Sequence, residues 1–353
     1  MKGTMKAQVV KAPYKMEYCD VPIPEINDDE VLIRVKVCGI CGSDWSIYTG
    51  NYAADKLPMI TGHEFWGEVA EVGKNAKGLQ VGDRVAVDIC LTCGTCYFCR
   101  HDDGLLCESF TQLGIHTDGG FAEYVKAPWK HCYPLPDCLD AYTAAFVEPL
   151  TAVIHTAQRI DAPIGASVAV IGCGLGILHA ALAKARACAP VIVIGHGKAR
   201  LDAAKAMGAD YVIDSNEVED PVAEVKRLTG GIGVDFVIEA VGKPETYDQA
   251  FRMLRRGGKI GAFGIVPQGK LANVEPYEFV LGEKKVSGSC AGIGNNWGDA
   301  IKLLEYGIIK PERLFSMAVP LSELEDALKE LRENKSLVKV FVCPDLTERK
   351  YFA

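Results

Sequence analysis

Four cysteines, Cys93, Cys96, Cys99 and Cys107, fall within the run CGTCYFCRHDDGLLC. Cysteines two residues apart can wrap a tetrahedral zinc ion from a single loop. Gly94 and Gly104 let the backbone turn there, while Asp102 and Asp103 keep the loop wet. Disulfides are the rival reading, and they need an oxidising compartment. The other cysteines, Cys19, Cys38, Cys41, Cys90, Cys132, Cys138, Cys173, Cys188, Cys290 and Cys343, are scattered, which suits a reducing cytoplasm better than a disulfide scaffold. A closed four-thiolate site leaves no position for a substrate. The expectation is a structural zinc, with the chemistry elsewhere.

A chain of 353 residues is too long for one comfortable core, so two domains are expected. Its hydrophobic fraction of 49% and charged fraction of 24% are those of ordinary globular proteins. A net charge of −8 argues against nucleic acid or an anionic membrane as partner. No basic cluster accompanies the cysteine loop, which weakens a DNA-binding zinc ribbon. The start, MKGTMKAQVVKAPYK, lacks a signal-peptide core, and no run approaches the roughly 18 apolar residues of a membrane span. The expectation is a soluble, cytoplasmic protein.

The first 150 residues read as strand-rich. Val31–Val37 alternates apolar and polar residues as a half-buried strand does, and Phe65–Val72 and Val81–Val87 behave similarly. Short strands with glycine turns suggest an irregular barrel or sandwich. After Pro149 the texture changes. Val168–Gly172, Val191–Gly195, Tyr211–Ile213, Phe236–Glu239 and Lys259–Phe263 are compact apolar strands, and the first pair brackets the helix-forming Leu178–Cys188. That alternation predicts a doubly wound parallel sheet, hence an α/β fold class. Trp297–Tyr306 and Leu321–Glu333 read as amphipathic helices and Val338–Val342 as a closing strand.

The segment VIGCGLG ends the first of these strands and opens a helix, a context that strengthens an otherwise weak glycine signal. Gly172 permits the tight turn, and Gly174 lets the backbone approach a pyrophosphate at the helix start, with Leu175 and Gly176 completing the loop. The third glycine of G-x-G-x-x-G would fall at Ile177; Gly176 precedes it by one, which questions the close helix–strand packing normal there. The acidic residue that binds a ribose 2′-hydroxyl is expected at the end of the second strand, where Gly195 stands, followed by His196, Lys198 and Arg200. Cations without a repelling carboxylate suit a 2′-phosphate, so NADP is expected over NAD. Solvated surface charge is the competing reading for Lys198 and Arg200.

Cys41 in CGICGSD, His63 and Glu64 in TGHEFWGEV, and Glu148 in FVEPLTA are ligand types for a second, open metal site. These segments, with VGDRV, the cysteine loop, DGGFAEYV, EPLTAVIHT and VIGCGLG, occur in the order seen in zinc-dependent medium-chain dehydrogenases, and the resemblance spans almost the whole chain. It is nearest the polyol (sorbitol-like) and threonine dehydrogenase branches. It implies a GroES-like catalytic domain at 1–156 carrying the zinc loop 93–107, a Rossmann domain at 157–290, and a return to the catalytic domain at 291–353.

By the same resemblance, Cys41 and His63 match zinc ligands, and Glu64 and Glu148 match carboxylates that bind zinc directly or through water. Ser43 matches the hydroxyl that meets the reacting alcohol. The family's histidine three residues further on is absent; Ser46 stands there, leaving the proton exit to Ser43, Glu148 and water. Two zinc ions per subunit and a homo-oligomer, tetramer or dimer, follow by analogy. The expected activity is hydride transfer between an alcohol or polyol and NAD(P); threonine-type oxidation and a non-enzymatic zinc protein of the same fold are the alternatives. On strand periodicity Cys38 reads as core, and His155, on a helix after Glu-Pro-Leu, reads as a packed core histidine, while Cys173 and Cys290 are expected along the coenzyme site and His116 facing substrate. Trp45, Tyr48, Phe65 and Trp297 are pocket walls or simple packing.

Overall fold

The computed structural model describes residues 1–352 and divides the chain into two compact units. One gathers Met1–Thr151, Ala291–Tyr306 and the chain from Phe315 onward; the other comprises Ala152–Cys290 and Gly307–Leu314. The division falls at Thr151/Ala152 rather than at 156/157, inside the continuous helix Val147–Ile160, and a helix interior offers no compositional break. Residues 307–314 go with the second unit, whereas the resemblance implies that they belong to the returning stretch.

The first unit is built on an eight-stranded sheet whose central strand is Glu30–Gly39. This strand pairs antiparallel with Glu64–Val72, with Tyr124–Pro128 near its start, and with Lys339–Cys343 at its end. Covered by neighbours, it is buried at most positions on both faces, not alternately. Register shifts between Leu32 and Ile33 and between Val35 and Val37 break the period of two as well. The strand expected from Val81 begins only at Arg84. Val81 is exposed in a turn, where Gly82 has φ +96° and the Asp83 carboxylate accepts from the Gln80 amide.

The second unit holds six parallel strands in the order Tyr211–Asp214, Val191–Gly195, Val168–Ile171, Val234–Glu239, Leu254–Ala262, Lys285–Gly288. Chain order reverses at Val168–Ile171, which therefore sits at the topological switch point where such sheets bind ligands. The helix that follows, Gly176–Ala185, is buried from Gly176 through Ala183, a burial that its small alanines make possible against the sheet. Among the described residues no helix is long and apolar enough to cross a membrane.

A candidate metal centre and a candidate dinucleotide site

Cys93, Cys96, Cys99 and Cys107 bring their four sulfurs within 4.8 Å of one another. The separations that link them, 3.5 Å for Cys96–Cys99 and 3.9 Å for Cys93–Cys99, are far longer than a disulfide, and all four thiols are free. Backbone amides surround the sulfurs: Thr95 and Cys96 donate to Cys93 Sγ at 3.4 and 3.3 Å, and Cys93 and Ser109 donate to Cys107 Sγ at 3.3 and 3.4 Å. The Thr95 amide leads the effects that lower the Cys93 thiol to about 6. Donors aimed at sulfur favour thiolates, the form a zinc ion takes. Gly94 (φ +70°) makes one turn as expected; the other left-handed residue is Asp102 (φ +60°), not Gly104.

The second cluster is assembled by sheet register. Gly39, the last residue of the central strand, lies opposite Glu64 on one side and Phe341 on the other. Two residues past Gly39 comes Cys41, and one before Glu64 comes His63. As a result Cys41, His63 and Glu64 place ligand atoms within 4.8 Å of one another, with His63 and Glu64 buried. Burial raises the Cys41 thiol above its ordinary value. Glu148 stands outside this group. It is 8% exposed, near enough to interact electrostatically with His63, Asp88 and Asp44, and burial pushes its carboxyl up to about 7.

Two residues not singled out by sequence complete the centre. Asp44, buried at the start of the helix Gly42–Tyr48, accepts from the Cys41 amide at 2.8 Å with one oxygen. Its other oxygen lies 3.7 Å from His63 Nδ1, and neither of those two atoms has a hydrogen-bond partner. A carboxylate facing Nδ1 leaves Nε2 as the ligating nitrogen, an arrangement common to metal-binding histidines. The signal was present in CGICGSD: an acid three residues after the helix-starting cysteine is placed to reach back to its amide. Lys339 enters from the C-terminal strand. Its buried ammonium forms an ion pair with Glu64 and donates to Ile40 O at 3.1 Å. Gly39 is what admits this pair, because a Cβ there would overlap the Glu64 carboxylate and come within 2.7 Å of Lys339 Cε.

Ser43 Oγ donates to Cys41 Sγ at 3.1 Å and lies 3.5 Å from His63 Nε2, so it borders the ligand cluster. Ser46 does not take over the missing histidine's place; its hydroxyl turns back to Gly42 O at 3.4 Å. A partly buried thiol and a buried imidazole and carboxylate converging on one point, with an acid behind the imidazole, form a donor set suited to zinc.

In the second unit Gly172 adopts φ +115°, and a Cβ there would crowd Val241 and Ala240. Gly174 faces open space and is exposed, the condition for a diphosphate to approach the backbone at the start of a ten-residue helix. Gly176 supplies the close packing expected of position 177: its Cβ would sit 3.1 Å from Val170 Cγ1, while Ile177 is wholly buried. Leu175 occupies the position just before the helix without a side-chain hydrogen bond to its first turn. Gly195 ends its strand as expected, and Asp214 is its register partner. Lys198, fully solvated, pairs with Asp202 at 2.7 Å one turn on, which partly neutralises it. Arg200 acts electrostatically on the Cys173 thiol, and the His196 backbone bonds that same sulfur. These residues fit a nicotinamide dinucleotide.

The remaining candidates mostly pack. Phe65 and Trp297 are buried, Trp297 stacks on Tyr133 at 5.8 Å, and Cys38 is core. Burial depresses His155 and His116; His116 meets Tyr52 and Phe110 edge-on. Cys290 is exposed.

Comparison with known proteins adds to this geometry. The family model of the alcohol dehydrogenase GroES-like domain matches residues 27–137, and that of the zinc-binding dehydrogenases matches residues 174–306. Sorbitol dehydrogenase of Bacillus subtilis is 35% identical, covering 97% of this chain and 98% of the relative. L-threonine 3-dehydrogenase of Bacillus velezensis is 33% identical over 98% of this chain and all of its own. Among solved structures, one described as a zinc-binding dehydrogenase from Sinorhizobium meliloti, bound to NADP, superposes with a TM-score of 0.90 at 32% identity, covering 97% of this chain and 100% of the other.

Proposed function

The chain belongs to the zinc-dependent medium-chain dehydrogenases of the alcohol dehydrogenase superfamily, and on that premise we propose that it oxidises a small polyol-type alcohol with NADP, or reduces the matching carbonyl. The observation that carries the reading is the buried convergence of Cys41, His63 and Glu64. Zinc held there supplies Lewis acidity that lowers the pKa of a bound alcohol, and bound NADP supplies the hydride acceptor.

The chain's own residues do the rest. Cys41 and His63 would hold the metal, and the Asp44 carboxylate, 3.7 Å from His63 Nδ1, favours the orientation in which Nε2 faces the other ligands. Ser43, at the edge of the cluster, relays the proton that the alcohol gives up, accepting it while releasing its own hydroxyl proton to water. Glu148, titrating near neutrality in its buried place, passes protons onward with water. Gly172, Gly174, Leu175 and Gly176 cradle the diphosphate. Gly195, with His196, Lys198 and Arg200 beside it, admits a 2′-phosphate.

Oxidation of a 3-hydroxy amino acid is the second reading, supported by the threonine dehydrogenase relative. Steady-state kinetics decide between them. With polyols, their phosphates and L-threonine as substrates, kcat/KM is expected to be highest for a polyol-type alcohol, with NADP favoured over NAD by about tenfold or more. Turnover confined to threonine, or a clear NAD preference, contradicts the corresponding part of the proposal.

The cysteine loop is proposed to hold a second, structural zinc. Replacing Cys107, the buried member of the set, with serine should reduce the zinc content from two ions per chain to one, with a fall in Tm. Plasma emission analysis and a thermal scan read both; an unchanged zinc content argues against the assignment. Self-association is proposed through the outer strand Lys285–Gly288, which ends its sheet and exposes Val286.

A further inference from the structure

Position 195 ends the second strand of the parallel sheet, the place from which an acidic side chain reaches the adenosine ribose in NAD-binding relatives of this fold. Its backbone is ordinary strand, outside the left-handed region, so conformation alone admits any residue there. Space does not. A Cβ at Gly195 would overlap the sulfur of Cys173 outright and approach the Cys173 Cβ to 2.8 Å; the third nearest atom, at 3.3 Å, is the Cys173 amide nitrogen. All three of the nearest atoms belong to Cys173.

The thiol cannot simply swing aside. It is 5% exposed and bonded twice to the same neighbour, donating to His196 O at 3.2 Å and accepting from the His196 amide at 3.3 Å. Rotating it away would break both bonds. The missing acid at 195 is therefore a filled position, not a vacant one.

We infer that Cys173 is a specificity-determining residue: lodged in the Gly172–Gly174 turn, it excludes an acidic side chain from position 195 and so commits the coenzyme site to a 2′-phosphorylated ribose. The direction of that selectivity rests on the NADP reading given above; the steric coupling between 173 and 195 does not.

Four proteins test it: the native chain, Gly195→Asp, Cys173→Gly, and the double variant. Dissociation constants for NADP and NAD are measured by calorimetry, and Tm is measured without coenzyme. Gly195→Asp alone should weaken both coenzymes by about tenfold or more and lower Tm. Adding Cys173→Gly should restore Tm and bring NAD binding above that of the native chain, so that the NADP-to-NAD ratio moves by about a hundredfold in favour of NAD. If Gly195→Asp alone fails to fold and the double variant folds, the coupling is supported by folding itself. If Gly195→Asp alone switches coenzyme as fully as the double variant, or the two effects simply add, the inference is overturned. A native preference for NAD overturns the NADP reading instead, and the non-additivity in Tm still judges the coupling.

Discussion

Loss of the buried ion-pair partner Lys339 is expected to destabilise the first unit by about 3–5 kcal/mol in Lys339→Met. The reason is asymmetry. Glu64 is 1% exposed and its carboxylate meets Lys339 directly, so removing the ammonium strands a negative charge where water cannot reach it. Burial already pushes the Lys339 ammonium below its ordinary pKa, against the opposing pull of Cys41, Asp44 and Cys38. The zinc proposed for the adjacent cluster would supply a second cation to the same carboxylate. The destabilisation should therefore be larger in protein stripped of metal by a chelator than in the zinc-loaded form. Glu64→Gln placed on Lys339→Met should recover much of the loss. Urea unfolding of the four combinations, with and without chelator, reads this directly. A loss below about 1 kcal/mol in the stripped protein would mean that the pair is not the buried contact described.

Cys41→Ser and His63→Ala should each lower kcat/KM by roughly a thousandfold, about 4 kcal/mol of transition-state stabilisation, together with one zinc ion per chain. Their effects should not add, because the ligands act as one unit. Since the cysteine loop is a separate cluster, its zinc should remain. Metal analysis beside kinetics checks this, and full activity in either variant would refute the proposed role of the Cys41–His63 pair. Ser43→Ala, which removes a hydroxyl bonded to Cys41 Sγ at 3.1 Å, should lower turnover while both metals stay.

Much of this molecule was legible because its constraints are local. The cysteine loop is closed by residues within one short run, and the turn at Gly172 and Gly174 lies between a strand and a helix adjacent in the chain. Even Asp44 was readable in principle, being one helical turn from Cys41. Lys339 was not. It meets Glu64 across 275 positions of sequence, and nothing in the alternation of Lys339–Cys343 marks its first residue as buried. For Glu148 the resemblance left direct and water-mediated zinc binding open, and the fold places its carboxyl outside the group of converging atoms.

The sequence alone determined the chemistry available: four thiols at zinc spacing, a glycine turn without an acid at the end of the next strand, and a thiol, imidazole and carboxylate set in short motifs. These are properties of residue type and near-neighbour spacing, which no later folding step alters. Tertiary structure decided which groups meet. Sheet register placed Gly39 opposite Glu64 and admitted Lys339 between them, and parallel strand packing seated the Cys173 thiol where a side chain at 195 would stand. Contacts of that kind depend on how distant strands align and on the space left between them, quantities that residue order does not state.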